Sequence, residues 1–149
     1  MKIAKKATPA AIAVLRQATA ICPSRMKASD GLLPSKAHLK QSPNSDHNTG
    51  LAVDLTHDKL GGIDCVYIFE RLKKDSRVKY LIFKGRIWSQ DKGERPYSGS
   101  NQHNKHLHIS IKEICANDTS PWFPWLGTPK TIDKVKARVK PLPKKKVNK

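Results

Sequence analysis

Two short segments hold most of the side chains that could do chemistry. Ser45-Asp46-His47-Asn48-Thr49-Gly50-Leu51-Ala52-Val53-Asp54 sets an imidazole and a carboxylate seven positions apart, and His103-Asn104-Lys105-His106-Leu107-His108 brings three imidazoles together. Hydrolytic zinc keeps three imidazole or carboxylate ligands and one open position, whereas structural zinc takes four closed ligands rich in thiolate. His47, Asp54 and His108 supply such an open set, with His103 and His106 left over for proton work. One histidine alone is usually a surface or hydrogen-bonded residue. Here four of the six fall in two tight segments, leaving only His38 and His57 outside, and that clustering points to a metal.

The chemistry follows from the donor types. Zinc lowers the pKa of a bound water toward about 7 and polarises a carbonyl, so an amide can be attacked near neutral pH. An imidazole with an ordinary pKa near 6.5 is matched to take the proton and return it to the leaving amine.

These side chains need elements to hold them. A loop entering a short strand can turn His47 and Asp54 toward one point, with Gly50 relieving the backbone between them. His106 and His108, two residues apart, share a face if their segment is a strand. Leu51 to Leu55 reads as a short buried strand with Asp54 near its end, and Leu107 to Ile111 alternates as another. Val78 to Phe83 and Arg86 to Ser89 read as a strand pair joined at Lys84-Gly85.

Thr8-Pro9 starts a helix running to about Ile21, where Pro23 stops it, and Ala11, Leu15, Ala18 and Cys22 recur at helical spacing. Ile63 to Lys74 reads as a second helix, with Ile63, Val66, Phe69 and Leu72 on one stripe. Residues 24–48 are irregular, a length that compact domains keep for function. The expected fold is α+β: a small antiparallel sheet holding the zinc site, flanked by two or three helices. Trp122, Phe123 and Trp125 are expected to cap the core; with Trp88, the two tryptophans could instead form a glycan-stacking surface. The peptidase domain is expected over 1–127, with a metal-binding core of about 28–111.

The chain has 149 residues, one domain's worth, with 29 Lys and Arg against 12 Asp and Glu, a formal net charge of +17. Such a charge seeks polyanions: nucleic acid, anionic lipid or acidic envelope polymers. From Lys130 to Lys149 nine basic residues stand against one acid, Asp133, so 128–149 reads as a disordered basic tail suited to such polymers or lipids. Cys22, Cys65 and Cys115 are odd in number and widely spaced, which predicts inert free thiols in a reducing cytoplasm. Six apolar residues from Ala10 to Leu15 fall short of a signal peptide's apolar run of about 7 to 15. No stretch approaches the roughly 18 apolar residues of a membrane span.

The run Ser-x-His-x-x-Gly-x-Ala-x-Asp, complete from Ser45 to Asp54, resembles the signature of the zinc peptidases grouped around D-alanyl-D-alanine carboxypeptidases, lysostaphin-type enzymes and the Hedgehog fold. His-x-x-His-x-His at 103, 106 and 108 resembles the penicillin-insensitive murein endopeptidase branch. Ala-Val-Asp-Leu-Thr-His-Asp, Arg-Val-Lys-Tyr and Arg-Pro-Tyr-Ser-Gly-Ser-Asn are similar to small phage-encoded peptidoglycan hydrolases, and the resemblance covers about Ala28 to Ile111. It implies that His47, Asp54 and His108 bind zinc, with His106 beside them as base or transition-state stabiliser. Carboxypeptidase-type members carry a glutamate base three residues before the last ligand, where this chain has Lys105. That departure favours the endopeptidase branch and leaves open whether His103 or His106 carries the proton.

The resemblance further implies an endolysin that collects in the host cytoplasm and acts on peptidoglycan to lyse the host; the sequence has no heptad or obvious self-complementary patch, and a monomer is expected. Ser45, Arg95 and Tyr97 are candidates for substrate contact, Arg95 and Tyr97 by holding a carboxylate or donating to an oxyanion. His57 and Asp58 could support the ligand Asp54, or be loop residues; His38 is ambiguous. Two other classes compete. A basic nucleic-acid-binding protein with structural or no metal fits the charge but lacks a paired finger spacing, so no specific nucleic acid is expected. An inactive wall-binding module would not need the intact ligand set.

Overall fold

The computed structural model describes residues 4–127, so the basic segment 128–149, expected to be disordered, lies outside the described residues. Helix α1 spans Pro9–Ile21: Thr8 caps it by accepting from the Ala11 N–H, and Pro9 occupies its first turn. Its small face of Ala10, Ala11, Val14 and Ala18 is fully buried, which lets the helix lie close against strand β1 (Ala52–Thr56).

The irregular segment is more ordered than its composition suggests. It holds α2 (Lys36–Gln41), capped by the Ser35 hydroxyl, and a 3-10 turn at Asp46–Thr49. The helix α3 spans Cys65–Leu72 rather than the expected 63–74. Asp64 caps it, while buried Ile63 stays extended in a bridge to Asp58. Its inward stripe is Cys65, Ile68, Phe69 and Leu72, so Val66, placed on the buried face by sequence, points to solvent at 53% exposure.

The remaining strands are β2 (Val78–Phe83), β3 (Arg86–Ser89), β4 (Gly93–Pro96) and β5 (His106–Ile111). All pair antiparallel in the order β1-β5-β2-β3-β4, which bears out the α+β expectation. Lys84 and Gly85 both take positive φ, 47° and 76°, the two-residue turn whose twist suits a hairpin. One sheet face, with Val53, Leu55, Leu81, Phe83, Leu107, Ile109 and Ile111, joins α1 and α3 in the core. The alternate residues, Asp54, Tyr80, Ile82, His106, His108 and Ser110, therefore share the opposite face.

The segment after β5 closes the far side of the core. Trp122 is fully buried and Phe123 nearly so; the Trp122 N–H donates to Gln17 Oε1 at 2.7 Å, and the Arg77 guanidinium lies 3.6 Å from the Trp122 ring centroid. Trp125 stands edge-on to Tyr67 and Phe123. These aromatics cap the core as expected. Cys65 and Cys115 are free thiols, and burial pushes the Cys65 thiol up to about 12, which keeps it inert.

Candidate metal centre

His47 owes its position to the 3-10 turn. Ser45 caps that turn, its hydroxyl accepting from the His47 N–H at 3.2 Å, and Gly50 ends it in the left-handed region at φ 75°. The Gly50 carbonyl accepts from both the hydroxyl and the N–H of Thr8, at 2.8 and 3.0 Å, tying the turn to the start of α1. A Cβ on Gly50 would stand 2.8 Å from the Lys6 carbonyl oxygen. Gly50→Ala is therefore expected to cost at least about 2 kcal/mol, from the left-handed backbone alone about 1–2, and to displace His47. Urea unfolding and a metal titration of the same variant check both effects.

Asp54 sits in the middle of β1, not near its end as expected, directly opposite His108 of β5. Gly31 flanks it with two backbone hydrogen bonds, and a Cβ there would come 3.1 Å from Asp54 Oδ2. Three imidazoles surround Asp54 Oδ1: His47 Nε2 at 3.2 Å, His108 Nδ1 at 3.4 Å and His106 Nε2 at 3.7 Å. His47, Asp54 and His108 each offer a ligand atom, and those atoms lie within 4.8 Å of one another.

The outer nitrogens are tethered. His47 Nδ1 lies 2.6 Å from the Leu32 carbonyl oxygen; a carbonyl only accepts, so Nδ1 carries a proton and Nε2 is the nitrogen turned toward Asp54. His108 Nε2 meets the Ser110 hydroxyl at 2.8 Å, and Tyr80 stacks on the His108 ring with centroids 5.3 Å apart. Such partners orient ligand histidines in metal sites. His103 is held similarly, with Nδ1–H donating to the Asn101 carbonyl at 2.7 Å and its own N–H to Asn101 Oδ1 at 3.0 Å. Its backbone is left-handed, φ 59°, a conformation kept only where surroundings enforce it.

Charge follows the geometry. Burial raises the Asp54 carboxyl, but hydrogen bonds and charge from His108 and His47 outweigh it and hold the group far below the usual carboxylate range. Burial lowers His47, yet the Asp54 carboxylate lifts it above the ordinary value. His103 is pushed down to about 4 by burial and by its neighbours His108 and His106, and burial also lowers His106. Both are therefore neutral at pH 7, the form in which an imidazole accepts a proton.

That shift carries a stability prediction. A histidine with a depressed folded pKa supports the fold above its unfolded value of 6.5, and the support is lost as pH falls toward about 4, because the unfolded chain takes up the proton first. His47, shifted upward, works in the other direction. Metal-free protein with His103→Asn is thus expected to lose less stability than the parent between pH 6.5 and 4, measured as the urea midpoint.

A cavity of about 670 Å³ opens over the cluster, lined by His47, Asp54, His103, His106 and His108 and also by His38, Ser45 and Tyr97. The sequence-derived candidates thus converge, except Arg95, which lines an adjoining cavity instead. None of Trp88, Trp122 and Trp125 lines the main cavity, so no glycan-stacking surface forms there. His57 is a structural residue: its Nδ1 accepts from the Cys65 N–H at 3.0 Å. Asp58 accepts from the N–H groups of Met26 and Gly61. Sequence reasoning missed Ser110, Tyr80, Asn101 and the Leu32 carbonyl. Ser110 was within reach, being two residues beyond His108 on the same strand face; Tyr80 needed the strand register.

A family model described as the VldE C-terminal domain matches residues 4–108, a span that takes in α1 and ends on the last histidine of the cluster. No curated protein and no solved structure matches the chain.

Proposed function

The chain belongs to the VldE C-terminal domain family, and for the centre enclosed by the matched span we propose a zinc-dependent hydrolase that cuts an amide bond in the stem or crosslink peptide of peptidoglycan. The observation that carries the reading is the carboxylate oxygen of Asp54 ringed by three imidazoles at 3.2 to 3.7 Å under an open cavity. Two nitrogens and one oxygen, with a side free for substrate, fit catalytic zinc better than a structural site. Both ligand imidazoles already have their outer nitrogens engaged.

When bound, zinc supplies Lewis acidity toward a carbonyl and makes water a nucleophile at neutral pH. The chain's own groups do the rest. His47, Asp54 and His108 hold the ion. His106 and His103, neutral and on the cavity wall, accept the proton of the attacking water and return it to the leaving amine. His103 Nε2 is free for that exchange because Asn101 occupies Nδ1. Lys105 stands where the carboxypeptidases that the motif resembles have glutamate, and its carbonyl accepts from the His57 N–H.

The phage-like phrases around Asp54, Arg77 and Arg95 support an endolysin stored in the host cytoplasm until it reaches the wall, acting as a monomer, with 128–149 attracted to anionic envelope polymers or lipids. Among the described residues no helix is long and apolar enough to cross a membrane. Incubating purified protein with peptidoglycan should release free amines at one zinc per chain and stop when a chelator removes the metal. Release that persists without zinc, or none at full zinc occupancy, overturns the proposal.

A further inference from the structure

The strand registers place one residue from each strand in a single row across the sheet. Asp54 of β1 pairs with His108 of β5, His108 with Ile82 of β2, Ile82 with Ile87 of β3, and Ile87 with Arg95 of β4. Directly paired residues share a face, so the metal-ligand pair and Arg95 lie at opposite ends of one line, with two isoleucines as the floor between them. Tyr80, in the neighbouring row, walls both the main cavity and a second one of about 480 Å³ at the Arg95 end.

This second cavity is cationic. Lys79, Lys92, Arg95 and Lys112 line it against one acid, Asp91. Lys79 is engaged by Asp46 at 3.1 Å, and Lys112 donates to Gln90 Oε1 at 2.7 Å. Arg95 is half-buried and its Nη1 donates to neutral acceptors, the Ser89 hydroxyl at 3.2 Å and the Gly93 carbonyl at 2.8 Å. These bonds fix the guanidinium; the exposed Asp91 carboxylate, bonded to the same Ser89 hydroxyl, is the acid within reach of its charge, and a planar guanidinium so held has donors to spare for a second carboxylate.

We infer that the Arg95 cavity is a carboxylate subsite for the peptide whose amide lies at the metal centre. The inference rests on the peptidase reading and adds the substrate's charge and spacing. Strands lie about 4.8 Å apart, so His108 and Arg95 are roughly 14 Å apart along the row. An extended peptide covers about 3.3–3.6 Å per residue. The ligand therefore carries an anionic group about four residues from the bond at the centre, with an apolar or small stretch over Ile82 and Ile87.

The test uses zinc-loaded full-length protein and end-blocked alanine peptides in which one glutamate is moved stepwise along the chain, each with a glutamine twin. Affinity is read by NMR titration, which needs no turnover. The expected result is a glutamate preference of about tenfold that peaks near four residues from the centre, vanishes in Arg95→Gln and partly returns in Arg95→Lys. Equal affinity of the twins at every position, no measurable binding of any peptide, or a preference that survives Arg95→Gln overturns the subsite. Charge preference without any cleavage of peptidoglycan sinks the hydrolase reading alone; cleavage without charge preference sinks the subsite alone.

Discussion

Replacing His108 by alanine is expected to strip the metal and abolish amide cleavage, whereas His106→Ala should keep the metal and lower turnover by about 10²-fold or more. The two residues sit on one strand face, two positions apart, and differ in what surrounds them. His108 faces Asp54 across the β1–β5 pair, belongs to the set of donors within 4.8 Å, and has its outer nitrogen on Ser110. His106 stands 3.7 Å from Asp54 Oδ1, outside that set, at the first residue of β5. Bound zinc measured by mass spectrometry and single-turnover rates separate the two variants. Equal metal loss in both overturns the division of roles.

Trp122→Ala is expected to remove about 3–5 kcal/mol of stability, the usual cost of truncating a buried aromatic. Against a total of about 5–15 kcal/mol for a domain, that is a melting temperature lower by ten degrees or more. The indole is fully buried and lies under the Arg77 guanidinium, while the backbone N–H of the same residue donates to Gln17 of α1. Trp125→Ala, on a partly exposed ring, should cost far less. A similar loss in both variants would mean that the segment after β5 contributes to stability as one surface strap instead of through one buried ring. Residues 121–127 lie outside the matched family span, so the measurement also shows how far the folding unit extends beyond it.

What the sequence revealed depended on how local each signal was. A Thr-Pro start, a small inward face and Pro23 define α1 without help from the rest of the chain, and its bounds match. Strands β2 and β3 were legible because a Lys-Gly turn separates two apolar runs. β4 was not: Gly-Glu-Arg-Pro has no apolar alternation, and it is a strand because β3 offers it hydrogen bonds. α2 has no buried residue at all, so no periodicity betrayed it. Val66 misled because its spacing from Ile63 assumed that the helix had already begun, whereas the bridge to Asp58 delays it.

The candidate centre was legible for a different reason. Ligand chemistry restricts residue types so tightly that histidine clustering is informative without any register. The second layer was hidden because it is made of ordinary groups: a carbonyl at Leu32, a hydroxyl at Ser110, a phenol ring at Tyr80. Arg95 and Tyr97 illustrate the limit. They are neighbours in sequence, yet they line different cavities, because β4 ends between them.

The pairing of β1 with β5 joins residues fifty or more positions apart, the longest-range strand contact in the sheet. Contacts of that separation carry the largest loop-closure cost and form late in folding. An ion held jointly by Asp54 and His108 would then bolt together two strands whose pairing is expected to close late. Its effect would belong to the escape rate: loaded protein is expected to unfold more slowly while refolding at nearly the same rate as the empty one, and the centre would then work as a latch on the finished fold.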